Sequence, residues 1–461
     1  MTSEVASPLE SCRVIVVTQD GEEILLHVKA GEYSLPQLEI PRDERTAPNL
    51  NLAAERDLGI RAVSLYRVVP RVRVTGVSYH AITALSRQNA PSGTAWKFMR
   101  SLSANQFSSE EDFDAIQTFQ AGVQQGSNPR ETEPFLKPDW FAEVTRWIED
   151  ALHSRSLRLT GRFEQFNADS AFSLIRFETN RAPVWFKAVG APNLQEFRVT
   201  LALAQLCPAR LPKILASKTE WNAWLSEDAA GATLSARPDA RLWEDAAAHL
   251  ADLQIRSIAA THTLRVAECR VLGFGELQSL VEPFFRFFSI PVVLTSGRVT
   301  DALSEAETDA LIMTVQRNLR RLHRLSLPDA IGHMDLNPAN IVVTDAGCVF
   351  LDWAEAFLGN PLFSFEYLLQ HFRNEFASPL LLENRFRDAY LKPWRALVSP
   401  QDLQEGIALA PLGALFAYAA ALWSASRQRS THNITQERYL AGLVRKMRRL
   451  VTLPQTESVR P

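Results

Sequence analysis

The stretch HMDLNPANIVVTDAGCVFLDWAEAFLGNP, residues 333–361, decides how this chain is read. Within it, Asp345-Ala346-Gly347 separates two short apolar runs, Ile341 to Thr344 and Cys348 to Leu351, each of strand length and rich in β-branched or bulky residues. That pattern predicts a hairpin with a three-residue loop. If Thr344 pairs with Cys348, all paired residue numbers share one sum and Asn340 falls opposite Asp352. Opposed side chains on one face stand about 5 Å apart. A bulge at Gly347 would slip this register by one. An amide oxygen and a carboxylate brought to one small volume are hard oxygen ligands suited to Mg2+. Asp335 precedes Asn340 by five residues, in a turn containing Asn337 and Pro338, so a second carboxylate approaches the same volume. It is the candidate group to receive a hydroxyl proton. A lone Asp or Asn is ordinarily a cap, a turn or a strand end. It is the joint spacing that points to chemistry.

The order histidine, aspartate, asparagine and later aspartate resembles the catalytic loop and metal-binding aspartate of the protein-kinase superfamily. More closely it looks like the aminoglycoside phosphotransferase and choline kinase branch, where Asp-Trp commonly replaces Asp-Phe-Gly and a Gly-Asp-Pro often follows. Asp352-Trp353 and Gly359-Asn360-Pro361 occupy those places. Met334 stands where the branch usually has Gly, Asn337 where it often has His, and Asn360 where it often has Asp. The resemblance covers about residues 155–461, and its specific part is the catalytic loop to Asp352. It implies an α+β, two-lobed protein-kinase-like fold, with a small antiparallel-sheet lobe and a large helical lobe. It also implies ATP or GTP bound between the lobes, Asn340 and Asp352 as Mg2+ ligands and Asp335 as the catalytic base. His333 would anchor the catalytic loop by hydrogen bonds.

A chain of 461 residues is expected to form two or three domains. Hydrophobic residues at 46% and charged residues at 22% are ordinary for a globular protein, and a net charge of −3 gives no field that gathers nucleic acid or anionic membrane. Cys12, Cys207, Cys269 and Cys348 are scattered singly, which makes neither a metal motif nor a disulfide framework and agrees with a cytoplasmic location. Met1 to Ser11 has no basic residue and no long apolar core, unlike a secretory signal. Gly406 to Ser426 carries no charge and is long enough to cross a bilayer. Its Ala content, Pro411 and Gly413 favour a buried helix kinked near the Pro, so no membrane partner is expected.

Four segments are expected along the chain: 1–133, 134–155 as linker and helix, 156–230 as the small lobe, and 231–461 as the helical lobe. The first opens with apolar runs Val14 to Val17 and Ile24 to Val28 around a Gln19-Asp20-Gly21 turn, then a helix over Leu50 to Leu58 and a strand from Ala62. In outline it resembles an α/β Nudix hydrolase domain. The Nudix helix carries an Arg-Glu and a Glu-Glu pair that bind metal; here those positions read Leu52-Ala53 and Arg56-Asp57, so only Asp57 keeps a ligand and hydrolysis is expected to be lost. Residues 120–139 are polar and turn-rich and predict a linker. Trp140, Phe141, Val144, Trp147, Ile148 and Leu152 then predict an amphipathic helix. Strands over 157–166, 171–178 and 184–189 predict a meander, followed by a helix over 193–206, and Glu227 to Gly231 stands where a hinge between lobes would run.

Lys187 is a lone charge inside an apolar strand, and an unpartnered ammonium buried there costs several kcal/mol. Its candidate partner is Glu196. The alternative is a lysine whose head reaches solvent and a surface glutamate. By the resemblance, Lys187 contacts nucleotide phosphates and Glu196 holds it. The loop that would cover the phosphates, Asn167 to Ser170, has no glycine, which leaves Ser170 as the contact and puts Asp169 where it would repel phosphate unless turned away.

The chain is therefore expected to be a Mg2+-dependent phosphotransferase that moves a nucleotide γ-phosphate to a hydroxyl of a small molecule. Residues 401–461 carry four acidic and eight basic side chains, which points away from a polycationic antibiotic and towards a neutral or anionic acceptor, although Glu355 and Glu366 are candidates to face the cleft. The competing expectation is a non-catalytic sensor or scaffold that binds a nucleotide-like ligand.

Overall fold

The computed structural model describes residues 8–72, 76–125, 134–289, 302–377, 380–428 and 434–452. They form a mixed α+β protein of two compact units, residues 1–197 with 213–228, and residues 198–212 with 229–461.

The first unit begins with β1 (Leu9–Val17), β2 (Glu23–Lys29), β3 (Glu32–Ser34) and β4 (Gln37–Pro41). Helix α1 (Thr46–Leu58), β5 (Ala62–Val68), β6 (Ser78–Ala84), β7 (Thr94–Phe98) and α2 (Glu110–Gln125) follow. The sheet runs β3-β2-β1-β6-β5, with β4 on β1 and β7 on β2, and β1 lies parallel to β6. Strand β1 is buried on both faces, as a central strand with a parallel neighbour is expected to be. Cys12, Val14 and Val16 pack in one core with Leu50, Ala53 and Ala54 of α1, while Ile15 and Val17 join a second core with Ile116 and Phe119 of α2. Helix α1 ends at Gly59, whose φ of 64° forms a left-handed cap.

The second core does not stop at this sheet. Helix α3 (Trp140–His153) buries Trp140, Phe141, Val144, Ile148 and Leu152 in the same cluster as Ile175, Phe177 and Phe186, which come from a second sheet. That sheet contains β8 (Leu159–Ala168), β9 (Phe172–Thr179) and β10 (Val184–Val189), then, after α4 (Gln195–Leu206), β11 (Ile214–Lys218) and β12 (Ala223–Glu227). Its order is β11-β12-β10-β9-β8, so the expected meander is its central and edge portion. The predicted linker differs from the structure: α2 occupies residues 120–125 of it, residues 126–133 lie outside the described residues, and α3 is core rather than connection.

The second unit is mainly helical. It contains β13 (Ala232–Thr233), α5 (Ala240–Ile258), α6 (Thr261–Val266), β14 (Arg270–Leu272), α7 (Phe274–Phe288) and α8 (Glu305–Arg324). Then come β15 (Ala330–His333), β16 (Ile341–Thr344), β17 (Gly347–Phe350), β18 (Ala356–Gly359), α9 (Leu362–Phe376), α10 (Leu380–Trp394), α11 (Pro400–Gln428) and α12 (Ile434–Thr452). Two three-stranded sheets, β13-β16-β17 and β14-β18-β15, hold the 333–361 stretch. Helix α11 contains the uncharged segment and runs unbroken through Pro411. It is long and apolar enough to cross a membrane, yet 67% of its most apolar window is buried, against α7, α8, α9 and α12.

The hairpin register corrects the expectation. Thr344 pairs with Gly347 and Ile341 with Phe350, which leaves a two-residue turn and sets Asn340 opposite Leu351 rather than Asp352. The Leu351 N–H donates to the Asn340 carbonyl at 2.8 Å. The cause lies at the turn, where the Thr344 hydroxyl accepts from the Ala346 N–H at 3.2 Å and donates to the Gly347 carbonyl at 2.9 Å. Gly347 takes φ of 118°, which lets it be the first paired residue, and a Cβ there would meet Arg210 and His249 at 2.7 Å. Replacing Gly347 by Ala is expected to lower stability by roughly 1 to 2 kcal/mol, seen as a lower urea midpoint at unchanged slope. An unchanged midpoint would show that the turn accommodates a side chain.

Candidate active site

The 333–361 stretch is held by a buried histidine. His333 ends β15 with no exposed surface, and its backbone N–H donates to the Ser364 hydroxyl at 2.7 Å. Its Nδ1 accepts the Asp335 N–H at 3.2 Å, which leaves Nε2 to donate to the Leu351 carbonyl at 2.9 Å. One neutral imidazole thus ties the residue before Asp352 to Asp335. Burial pushes its pKa down, opposed in part by the Leu351 carbonyl and by Asp352, Asp335 and Glu355. The Trp353 ring lies 4.9 Å from the imidazole, centroid to centroid, and seals it.

Asp335 sits at the centre of the polar contacts. Its Oδ1 accepts from the Asn337 amide at 3.1 Å and from the Tyr367 hydroxyl at 3.3 Å. The Asn337 Oδ1 in turn accepts the Ala339 N–H at 3.0 Å, so Asn337 caps the short turn that carries Asn340. Asn340 donates Nδ2 to the Asp335 carbonyl at 2.9 Å and to its Oδ2 at 3.4 Å. Because the amide NH2 faces Asp335, the Asn340 Oδ1 faces the other way and keeps its lone pairs for an electrophile.

Asp352 follows Leu351 with φ of 61° and ψ of 67°, a left-handed conformation that Asp tolerates better than most residues. This turn, not a strand pairing, sets where the carboxylate leaves the chain. The Asn360 Oδ1 accepts the Leu362 N–H at 3.0 Å at the start of α9. Met334 is buried, and its N–H donates to the Glu355 carbonyl at 3.1 Å.

Lys187 and Glu196 lie in the first unit. The Lys187 Nζ donates to Glu196 Oε1 at 2.6 Å, and the residues are 8% and 1% exposed. Burial decides against a surface lysine and a surface glutamate. Phe172 and Trp224 place their rings 5.0 and 5.9 Å from the ammonium. The glycine-free loop before Phe172 closes on itself. Asp169 Oδ1 accepts the Ala171 and Phe172 N–H groups at 2.8 and 3.1 Å, and Oδ2 takes the Asn167 amide at 3.1 Å. The Asp169 carboxylate is therefore turned into the loop, and Ser170 is left exposed at its tip.

The structure thus brings His333, Asp335 and Asn340 together in one unit, with Asp352 adjoining them through Leu351, and Lys187 with Glu196 in the other. Sequence reasoning missed Asn337 and Tyr367 as partners of Asp335. Asn337 was legible as a turn cap two residues on, but nothing in the spacing singles out Tyr367 on α9. Neither candidate acidic residue is unpaired: Glu355 meets Arg270 at 3.1 Å, and buried Glu366 accepts from Gln370 at 2.5 Å with Arg373 at 3.6 Å. Asp57 is held by Arg56 at 2.6 Å.

Residues 191–401, a little under half of the chain, match the phosphotransferase enzyme family APH. This match supports a kinase-type phosphotransferase. No curated protein matches the chain. Among solved structures, a macrolide 2'-phosphotransferase from Brachybacterium faecium is 13% identical with a TM-score of 0.45, covering 68% of this chain and all of that one. An ethanolamine kinase from Plasmodium vivax is 15% identical with a TM-score of 0.46, covering 72% and 93%. A choline/ethanolamine kinase family protein from Mesorhizobium loti is 14% identical with a TM-score of 0.46, covering 68% and 96%.

Two outcomes follow from these contacts. Replacing Glu196 by Ala removes the carboxylate that buried Lys187 meets at 2.6 Å and is expected to cost about 3 to 5 kcal/mol in urea unfolding; a loss below about 1 kcal/mol would mean that the ammonium does not depend on this carboxylate. An unfolded histidine titrates near 6.5, and the folded His333 lies below that. Its contribution to stability is therefore fully present above about pH 6.5 and is lost as pH falls towards the folded value. Thermal midpoints should fall on acidification, less steeply in His333→Gln, and parallel slopes would remove His333 as the cause.

Proposed function

We propose that this chain is a Mg2+-dependent kinase that transfers the γ-phosphate of ATP or GTP to a hydroxyl of a neutral or anionic small molecule in the cytoplasm. The observation that carries the reading is the pairing of Asp335 with Asn340, in which the amide NH2 steadies the carboxylate and leaves the amide oxygen turned away from it. No group of three or more His, Cys, Asp or Glu suited to a metal occurs among the described residues. Two hard oxygen donors from Asn340 and Asp352 suit an ion that keeps water and takes its other ligands from nucleotide phosphates, as Mg2+ does. The ion would offset charge on the transferring group. Lys187, held by Glu196, would contact the phosphates, and Ser170 would supply a hydroxyl at the tip of its loop.

Asp335 orients the acceptor hydroxyl and takes its proton as the new O–P bond forms and the bond between the γ-phosphorus and the bridging oxygen breaks. Asn337 and Tyr367 hold the carboxylate in place. Burial and the adjoining Asp335 push the Tyr367 phenol up to about 12, so it stays a neutral donor. With Glu355 paired to Arg270 and Glu366 buried, these two carboxylates offer little to a polycation, which supports a neutral or anionic acceptor. All four cysteines are buried free thiols, in keeping with a reducing compartment. The first domain, read as Nudix-like, is assigned binding or packing rather than hydrolysis, because Arg56 occupies the Asp57 carboxylate.

A sensor without turnover is the second reading. It is favoured by the 167–172 loop, whose Ala171 and Phe172 N–H groups are already taken by Asp169. Thermal unfolding with millimolar ATP and Mg2+ separates the readings from no binding at all, since a ligand of the native state raises the midpoint by mass action. We expect a metal-dependent rise that Asp352→Ala loses, and ATP turnover that Asp335→Ala lowers by at least about a hundredfold. Stabilisation without turnover would favour the sensor, and no stabilisation would overturn the kinase.

A further inference from the structure

The first sheet and the second sheet of the first unit are joined by polar side chains at one strand. Gln165 of β8 is 1% exposed, and its amide pairs with the backbone of Ser64 on β5 as a strand would. Its Oε1 accepts the Ser64 N–H at 2.8 Å, and its Nε2 donates to the Ser64 carbonyl at 2.9 Å. Asn51 of α1 closes the group: its Nδ2 donates to the same Oε1 at 2.9 Å, and its Oδ1 accepts from the Ser64 hydroxyl at 2.9 Å. Both strands are irregular at this point, with register shifts between Ser64 and Tyr66 and between Gln165 and Asn167. Fully satisfied buried amide networks of this kind fix one arrangement, because each partner left alone would be an unsatisfied polar group.

The irregularity in β8 sets up the loop that follows. Phe166, the residue displaced by the shift, lies 5.0 Å from Trp185, with the Arg45 guanidinium 5.5 Å from its ring. Asn167 then opens the loop by donating to Asp169 and to the Phe172 carbonyl at 3.0 Å. The first domain therefore grips β8 at two successive residues, Gln165 and Phe166, immediately before the first residue that shapes the loop. The elements that do so are the N-terminal end and body of α1.

We propose that the N-terminal domain is a positioning element for the 167–172 loop, acting through the Gln165 clamp and Arg45, and that the chain's affinity for nucleotide depends on it. This rests on the reading of that loop as the cover of the nucleotide phosphates. Helix α1 has a docking role: Asn51 reaches Gln165, and Arg45 at its N-terminal end covers Phe166. Gln165 touches no reacting atom and acts only through the loop it precedes.

The test uses the full chain. Amide hydrogen exchange without nucleotide reads the loop directly, because the Ala171 and Phe172 N–H groups are held only while Asp169 keeps its place. In Gln165→Ala, exchange at these amides is expected to quicken by about fivefold, the loss of one net hydrogen bond. Asn51→Ala, which removes one arm of the clamp from a helix that favours Ala, should show a smaller rise and keeps the test open if Gln165→Ala fails to fold. In basal Mg2+-dependent ATP hydrolysis, both variants should raise KM for ATP while leaving kcat within about twofold. Loop exchange equal to wild type in Asn51→Ala and Gln165→Ala, with only a lower thermal midpoint, would overturn the proposal and leave the clamp as packing. A wild type without ATP turnover would sink the kinase reading, yet the exchange result would still decide the clamp.

Discussion

The neutral imidazole of His333 is the contact on which the candidate site depends. Its two nitrogens join an N–H at Asp335 to a carbonyl at Leu351, so the loop that carries the proposed base and the strand end that leads to Asp352 are fixed by one side chain. The bond that Nδ1 accepts requires the uncharged ring, and full burial under Trp353 supplies that condition by disfavouring the imidazolium. Around this tie the remaining polar groups fall into order: Asn337 caps the turn, Asn340 braces Asp335, and Ser364 holds the His333 backbone from α9.

The same economy holds in the first unit, where a lysine and a glutamate are buried together. A paired, desolvated ammonium is a cation of fixed position, at the cost of desolvating both groups. The Phe172 and Trp224 rings flank it, and in the loop beside it Asp169 and Asn167 take backbone groups. The core of that unit extends from the first sheet through α3 into the second, so the N-terminal segment is packed as part of the same body as the Lys187 strand rather than hung from a linker.

Much of the candidate site was legible in the sequence because its residues are close along the chain. Asp335, Asn340 and Asp352 fall within one loop and one hairpin, and Lys187 with Glu196 within one strand and the next helix, so local geometry alone brings them near. The hairpin register was not legible to one residue. Thr344 bonds locally to Ala346 and Gly347, and that side-chain preference shortened the turn, so a backbone turn at Asp352 rather than strand pairing carries the carboxylate. Tyr367 escaped notice because nothing in helix periodicity marks a tyrosine that reaches a loop thirty-two residues earlier.

What the sequence determined by itself is the chemistry on offer and its local frame. The apolar runs dictate the strands, the Asp-Ala-Gly turn dictates the hairpin, and the lone Lys187 in an apolar strand demands an anion nearby because burial without one is too costly. What only the tertiary structure decided is which of these groups lie where water is excluded. Burial makes His333 neutral, closes Glu366 away and sets Gln165 against the backbone of Ser64, 101 residues away. Such contacts depend on packing between distant segments, and pair spacing along the chain carries no record of them.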